Sequence, residues 1–142
     1  MGFFSKLFGG GAVEPVPERT AADPVRRVDA SGSWGREMPA EENQYSFPGG
    51  YEEYFANVFY DAFPDYTFER DFPRENAVVF RFMRGGATAL VVELMSERSS
   101  AQKLRRDCRA QGVPYLRFYH DHEGWWNTRS YVIARVRCAL GE

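Results

Sequence analysis

The chain has 142 residues, of which 44% are hydrophobic and 16% aromatic, and this is enough for one domain with a core and a tail. The net charge of -2 argues against a generally basic nucleic-acid binder. Cys108 and Cys138 lack zinc-like spacing, nothing resembles a secretory signal, and no apolar run is long enough to span a bilayer. We therefore expect a cytoplasmic protein with reduced thiols.

The first 47 residues predict two segments outside the domain. Residues 1–8 place four apolar side chains at helical spacing, which predicts a short amphipathic segment that touches a membrane surface or a partner groove. Those side chains are Phe3, Phe4, Leu7 and Phe8. The alternative is a frayed terminus. Residues 9–47 are rich in Pro, Gly, Glu, Ala and Ser without periodicity, which predicts a flexible linker, with local docking by Met38, Tyr45 and Phe47. The domain is predicted over 48–142.

An amphipathic helix is predicted over 51–63, because apolar residues recur there at intervals of three and four and Pro64 follows. Glu52 and Glu53 lie in its first turn, where the positive end of the helix dipole favours carboxylates. That placement explains both acids without a site. A role as metal ligands is the alternative.

Three strands are predicted next, over 66–72, 77–83 and 88–95. The Gly85-Gly86 pair between the last two is a hairpin signal. The third run is almost entirely apolar, as is typical of a central strand covered on both faces, and its one carboxylate is Glu93.

After that strand, Ser99 or Ser100 is a candidate cap for a basic helix that ends at Gly112, and a fourth strand is predicted over 113–119. A last helix is predicted over 127–140. Strands joined through a helix of this length lie parallel. The acid of the third strand is therefore expected near the residues that end or follow the fourth. These are Tyr119, His120, Asp121 and His122.

The order helix, three strands, helix, strand, helix resembles the PD-(D/E)xK phosphodiesterase superfamily, which has the restriction-endonuclease-like fold. The segment KLRRDCRAQGVPYLRF (103–118), followed by Asn127 and a closing helix, resembles the small very-short-patch-repair endonuclease and its bacterial relatives. The resemblance covers about residues 51–140. It implies an α/β fold with an α-β-β-β-α-β-α core and a mixed central sheet flanked by helices.

The resemblance also implies a magnesium site. In that superfamily an aspartate early in the hairpin and an acid in the next strand bind Mg²⁺, and a lysine two residues after the acid polarises water or phosphate. Here Glu93 occupies the place of the acid, but Met95 stands at the lysine position and Val79 near the aspartate position. We therefore expect a catalytically impaired, nuclease-like domain without a cofactor, which binds nucleic acid or protein.

Three alternatives remain open. A migrated active site would use Lys103 as the cation and take metal oxygens from Glu93, from Asp71, and from Glu52 or Glu53, giving a Mg²⁺-dependent DNA or RNA phosphodiesterase. A different metal site would join His120 and His122 to Glu93. A peripheral membrane scaffold would be anchored through residues 1–8.

Two features are candidates for nucleic-acid binding. Arg105, Arg106 and Arg109 on the basic helix can contact phosphate, although an exposed helix face is commonly only solvated. Trp125 and Trp126 can stack on bases, or they cover the core.

Overall fold

The computed structural model describes residues 32–142, so the predicted segment 1–8 and most of the predicted linker lie outside the described residues. Three helices and four strands follow one another in this part of the chain. They are α1 (Tyr51–Ala62), β1 (Thr67–Arg74), β2 (Ala77–Arg84), β3 (Ala87–Met95), α2 (Lys103–Gln111), β4 (Tyr115–Tyr119) and α3 (Arg129–Leu140). None of the described helices has the length and apolar character needed to cross a membrane.

The four strands form one mixed sheet in the order β1-β2-β3-β4. The first two pairings are antiparallel, and β3 and β4 are parallel and joined through α2. The predicted element order, the hairpin and the parallel pair are therefore confirmed. The apolar run of β3 is buried from Leu90 to Met95, as expected for an inner strand.

The two faces of the sheet are covered unequally. Alternate strand residues such as Phe80 and Phe118 pack with α1 and α3 into the large core. We call this side of the sheet the α1 face. The intervening residues face α2, where Val79, Val91 and Cys108 form a smaller cluster; we call this the α2 face. Because α2 is a single short helix, polar residues remain on this face.

Local hydrogen bonds explain where the element bounds differ from the predicted ones. The Val113 N–H donates to the Cys108 carbonyl at 2.9 Å and helps to close α2, so β4 starts only at Tyr115. Ser99 Oγ accepts from the Ala101 N–H at 3.2 Å instead of capping the helix. Gly112 ends α2 with a φ of 72°, as predicted for a glycine at that position.

Residues 33–47, which we call the strap, lie against the loop between β4 and α3. Ser33 is buried, its carbonyl accepts from the Trp126 N–H at 2.8 Å, and its Oγ accepts from the Thr128 N–H at 3.0 Å. Gln44 is also buried and donates its side-chain amide to the His120 carbonyl at 2.7 Å. Hydrogen bonds therefore tie this part of the predicted linker to the domain.

The three residues predicted to dock from the strap behave differently from one another. Phe47 packs against the main core, and the Tyr45 hydroxyl donates to the His120 carbonyl at 2.8 Å. Met38 is 49% exposed. The strap is thus held mainly by polar groups, which hydropathy patterns do not reveal.

We expect Gln44→Ala to lower the free energy of unfolding by about 1–3 kcal/mol, because the buried Gln44 side chain makes hydrogen bonds with the His120 carbonyl and the Asn127 amide that the variant removes. Urea denaturation measures the change. Arg36→Ala, an exposed strap variant, is the matched control and should shift stability by less than about 0.5 kcal/mol. Equal stability of both variants and the wild type would mean that the strap does not support the domain.

Candidate functional site

Glu93 lies in the middle of the sheet on the α2 face. It pairs in register with Val79 of β2 on one side and Arg117 of β4 on the other, and it is only 2% exposed. A buried carboxylate is costly unless charged and hydrogen-bonding partners surround it. Its partners therefore determine what the site can do.

Three side chains hold the Glu93 carboxylate. Arg74 Nη2 donates to Oε2 at 3.0 Å, and the Tyr115 hydroxyl donates to Oε1. Arg117 Nη2 lies 3.7 Å from Oε1. Arg117 also donates through Nε to the Tyr115 hydroxyl at 2.8 Å and through Nη2 to the Ala101 carbonyl at 2.9 Å. We call Glu93, Arg74, Tyr115 and Arg117 the Glu93 network.

The protonation states in the network are set by burial and by the neighbouring charges. Burial raises the pKa of Tyr115 above its usual range; the charge of Arg117 opposes this shift, and the Glu93 carboxylate adds to it. The Tyr115 hydroxyl thus keeps its proton and remains a donor. Burial lowers the pKa of Arg117, but Tyr115 and Tyr119 outweigh that effect, so its pKa is raised and the guanidinium stays charged.

The two other positions indicated by the resemblance are apolar and closed. Val79 is 2% exposed and packs in the α2-face cluster, while Met95 is fully buried at the end of β3. Neither position offers an oxygen or a cation to a ligand. The polar groups around Glu93 come instead from β4 and from the end of β1.

The migrated alternative requires Lys103 and Asp71 to approach Glu93, but each is paired elsewhere. Lys103 Nζ contacts the Asp107 carboxylate at 2.8 Å, and its side chain is 83% exposed. Asp71 pairs with Arg81 and lies beyond Val79 in register. Two strand spacings, about 10 Å, therefore separate the backbones of Asp71 and Glu93.

The acids of the first helix lie on the other side of the sheet. Glu52 pairs with Arg70 at 2.5 Å, and the Arg70 guanidinium lies 5.0 Å from the centroid of Phe80 on the α1 face. Glu53 is exposed on the same helix. Within residues 32–142, no three His, Cys, Asp or Glu side chains are placed to share a metal ion.

His120 and His122 lie just after β4, as predicted, but not beside Glu93. His120 Nε2 is 2.8 Å from the Asn76 carbonyl, and its ring stacks on Tyr51 with centroids 3.8 Å apart. His122 Nδ1 bonds to the Glu97 carboxylate. Because Glu93 is level with Arg117, the two imidazoles lie further along the sheet and contact different partners.

The basic residues predicted to meet phosphate lie along α2. Arg106 and Arg109 are exposed, and the Arg105 guanidinium is 5.9 Å from the centroid of Tyr115. Residues 98–111 hold five of the 18 Lys and Arg residues and one of the 20 Asp and Glu residues, so 13 basic and 19 acidic residues remain elsewhere. We call residues 98–111 the basic strip. It carries positive charge on an otherwise acidic chain.

The two tryptophans after β4 mainly contact other residues of the protein. Trp126 Nε1 donates to the Gly35 carbonyl at 3.0 Å, and Trp125 stacks on Tyr131 with centroids 5.4 Å apart. This arrangement agrees with the alternative in which they cover the core. The exposed indole of the region belongs to Trp34 in the strap.

Sequence patterns missed the arginines and the tyrosine around Glu93. The alternation of Tyr115 and Arg117 with Leu116 and Phe118 signals that the polar pair shares one face of β4, the face of Glu93. Arg74 has no such signal, because an irregularity between Asp71 and Arg74 shifts its register.

No protein-family model, curated protein or solved structure matches the chain. The functional interpretation therefore depends on the geometry and charges of the described residues.

We expect Glu93→Ala to lower the free energy of unfolding by about 3–5 kcal/mol, because Arg117, 9% exposed, would lose its buried counter-charge. Glu93→Gln keeps an oxygen acceptor for Tyr115 and should cost less. Urea denaturation measures both variants. The control is Glu69→Ala on exposed β1, where the change should stay within about 0.5 kcal/mol. An Ala variant as stable as the wild type would contradict the assigned pairing.

The pKa of Asp121 predicts how the stability of the protein depends on pH. Burial raises the pKa of its carboxyl group, but hydrogen bonds from Ser96 Oγ and the Glu97 N–H outweigh this, and the pKa is lowered below 3.8. Its stabilising contribution is therefore present above about pH 4 and is lost as the pH falls through the folded-state pKa. We expect the stability difference between wild type and Asp121→Asn to shrink below pH 4 in urea titrations. A constant difference down to pH 3 would contradict this assignment.

Proposed function

We propose that this chain is a non-catalytic nucleic-acid-binding module on a restriction-endonuclease-like scaffold. Three features support the scaffold: the order of helices and strands, a hairpin with its acid in the second strand, and a parallel strand reached through a helix. The scaffold alone does not specify an activity, since one fold hosts many functions. The side chains around Glu93 and along α2 carry the rest of the proposal.

The observation that carries the non-catalytic assignment is the occupation of Glu93 by protein donors. One carboxylate oxygen accepts from Arg74 and the other from Tyr115, and Arg117 lies beside the second oxygen. A divalent cation would have to displace a guanidinium and then sit next to another. Both steps oppose binding, because like charges repel strongly at a buried position.

The basic strip supports phosphate as the ligand. Arg106 and Arg109 project from a short helix on the less covered face of the sheet, and both are exposed. Binding there is electrostatic, because contacts between cationic side chains and phosphate release counterions and carry no sequence information. We therefore expect modest affinity, strong salt dependence and little sequence preference.

The test is fluorescence anisotropy of the full chain with labelled single-stranded and duplex DNA of about 20 nucleotides, at about 50 and 200 mM salt. We expect Arg106→Glu/Arg109→Glu to weaken binding at least tenfold at low salt and to reduce the salt slope by about two. The physical reason is the loss of two phosphate contacts and the gain of two repulsive charges.

Arg36→Glu/Arg137→Glu is the matched control, because it makes the same change of net charge at two exposed positions outside the strip. Its affinity should remain within about threefold of the wild type, since distant charges are screened. Equal weakening by both double variants would assign binding to net charge alone. Absence of binding at low salt would remove the proposal.

The competing candidate is a Mg²⁺-dependent phosphodiesterase that uses Glu93 with Asp71 and Lys103. Its support is that Glu93 and Asp71, two strands apart in register, lie on the same face of the sheet. Isothermal titration of Mg²⁺ and Mn²⁺, with Glu93→Gln as the comparison, separates the candidates. Binding that disappears in the variant, together with cleavage of the labelled DNA, would replace the binding module with the enzyme.

A further inference from the structure

Trp34 presents an exposed indole beside the carboxyl ends of the parallel strands. Trp34 is 53% exposed, although its ring stacks on His122 with centroids 5.6 Å apart and lies 5.5 Å from the ring of Trp125. An isolated β-bridge pairs Trp34 with Trp125, and the Gly35 N–H donates to the Gly124 carbonyl at 2.9 Å. The indole is therefore held in one position while much of its surface faces solvent.

Gly124 makes that position possible. Its φ of +85° lies in the left-handed region, and a Cβ at this residue would come within 3.0 Å of the Trp34 ring. A larger residue would both strain the backbone and push the indole away. The loop after β4 is thus shaped around Trp34.

Four acidic residues lie in the segments next to this indole, which are the strap, the loop after β3 and the loop after β4. Glu97 bonds to the ring of His122, on which Trp34 stacks, and Asp121 accepts from Ser96 Oγ and from the Glu97 N–H. Glu37 is exposed in the strap, and Glu123, which precedes Gly124, is also exposed. Against these four acids, the same short segments carry two arginines, Arg36 and Arg98.

The negative charges of Asp121 and Glu97 also act on Tyr45, another aromatic residue of the strap. Burial raises the pKa of the Tyr45 hydroxyl, and the charges of Asp121 and Glu97 raise it further. A cation placed at this surface would gain the same interaction that makes a phenolate unfavourable. A phosphate would be repelled.

The arginines within residues 32–142 stack on aromatic rings other than that of Trp34. Guanidinium groups lie over rings of tyrosine and phenylalanine within 32–142, and none of them lies over Trp34 or Trp125. Indole is the side chain that binds cations best through its π face. Trp34 therefore offers a cation site that this part of the chain does not fill itself.

We propose that Trp34 and its flanking carboxylates bind an arginine side chain from an exposed basic segment of a partner protein. The guanidinium would lie over the indole and donate to the carboxylates of Glu123 or Glu37, since its planar fork suits both contacts. Of the basic strip, only Arg98 lies in the segments that form this surface, and the α2 arginines do not. The inference therefore holds whether or not the chain binds nucleic acid.

Intrinsic tryptophan fluorescence can detect binding at this surface. Its three tryptophans are Trp34, Trp125 and Trp126, and all of them lie in the strap or in the loop that it covers. We expect a saturable change of tryptophan fluorescence when an octa-arginine peptide is titrated into the full-length protein. Anisotropy of a labelled copy of the same peptide gives its affinity.

Two variants test the assignment. Trp34→Leu removes the π face but keeps an apolar side chain, and Glu123→Lys reverses an exposed charge; each should weaken peptide binding about fivefold or more. Glu69→Lys on β1 is the matched control, with the same charge reversal at an exposed residue on a distant strand. Its affinity should stay within about twofold of the wild type, since exposed charges far from the site are screened. Circular dichroism verifies that each variant is folded.

Three outcomes would overturn the proposal. The first is the absence of any fluorescence change with octa-arginine, and the second is equal weakening by Glu69→Lys and Glu123→Lys. The third is quenching by oligothymidylate and not by octa-arginine, which would make Trp34 a platform for nucleobases. Loss of DNA binding by Arg106→Glu/Arg109→Glu with unchanged peptide binding would support the proposed nucleic-acid binding and would show that the Trp34 surface binds its ligand separately.

Discussion

The neutralisation of Glu93 is the constraint on which the α2 face depends. Glu93 is in an inner strand and is 2% exposed, so its carboxylate requires charged and hydrogen-bonding partners. Arg74 from β1 and Tyr115 and Arg117 from β4 supply them. The Glu93 network thereby connects the end of β1, the carboxyl-terminal half of β3 and the edge strand β4. It also bears on the chemistry of the site, because both oxygens of the Glu93 carboxylate already accept hydrogen bonds from protein donors.

The distribution of charge separates two surfaces of the molecule. The basic strip concentrates positive charge on α2 and just before it, whereas Glu97, Asp121 and Glu123 place negative charge directly after β3 and β4. A ligand rich in phosphate and a ligand rich in arginine would therefore meet different faces.

The strap shows how a segment without hydrophobic periodicity becomes part of a domain. Ser33 and Gln44 are buried because their backbone and side chains satisfy polar groups of the loop between β4 and α3. Asn127, with a φ of 51°, completes this interface by donating to Gln44 and to the Tyr119 carbonyl. The bonds between the strap and this loop join residues far apart in the chain, which is why composition alone indicated a linker.

The sequence by itself determined the elements and their order, because hydrophobic periodicity, glycine turns and a helix-ending glycine act over a few residues. It also identified Glu93 as a buried acid and the apolar character of Val79 and Met95. Only the tertiary structure decided which groups surround that acid, that Lys103 and Asp71 pair elsewhere, and that Trp34 is the exposed indole. These outcomes depend on strand register, on an irregularity before Arg74 and on contacts across 75 or more residues, as between Tyr45 and His120. Local patterns do not encode such contacts, because the free energy that selects them arises only when the sheet has formed.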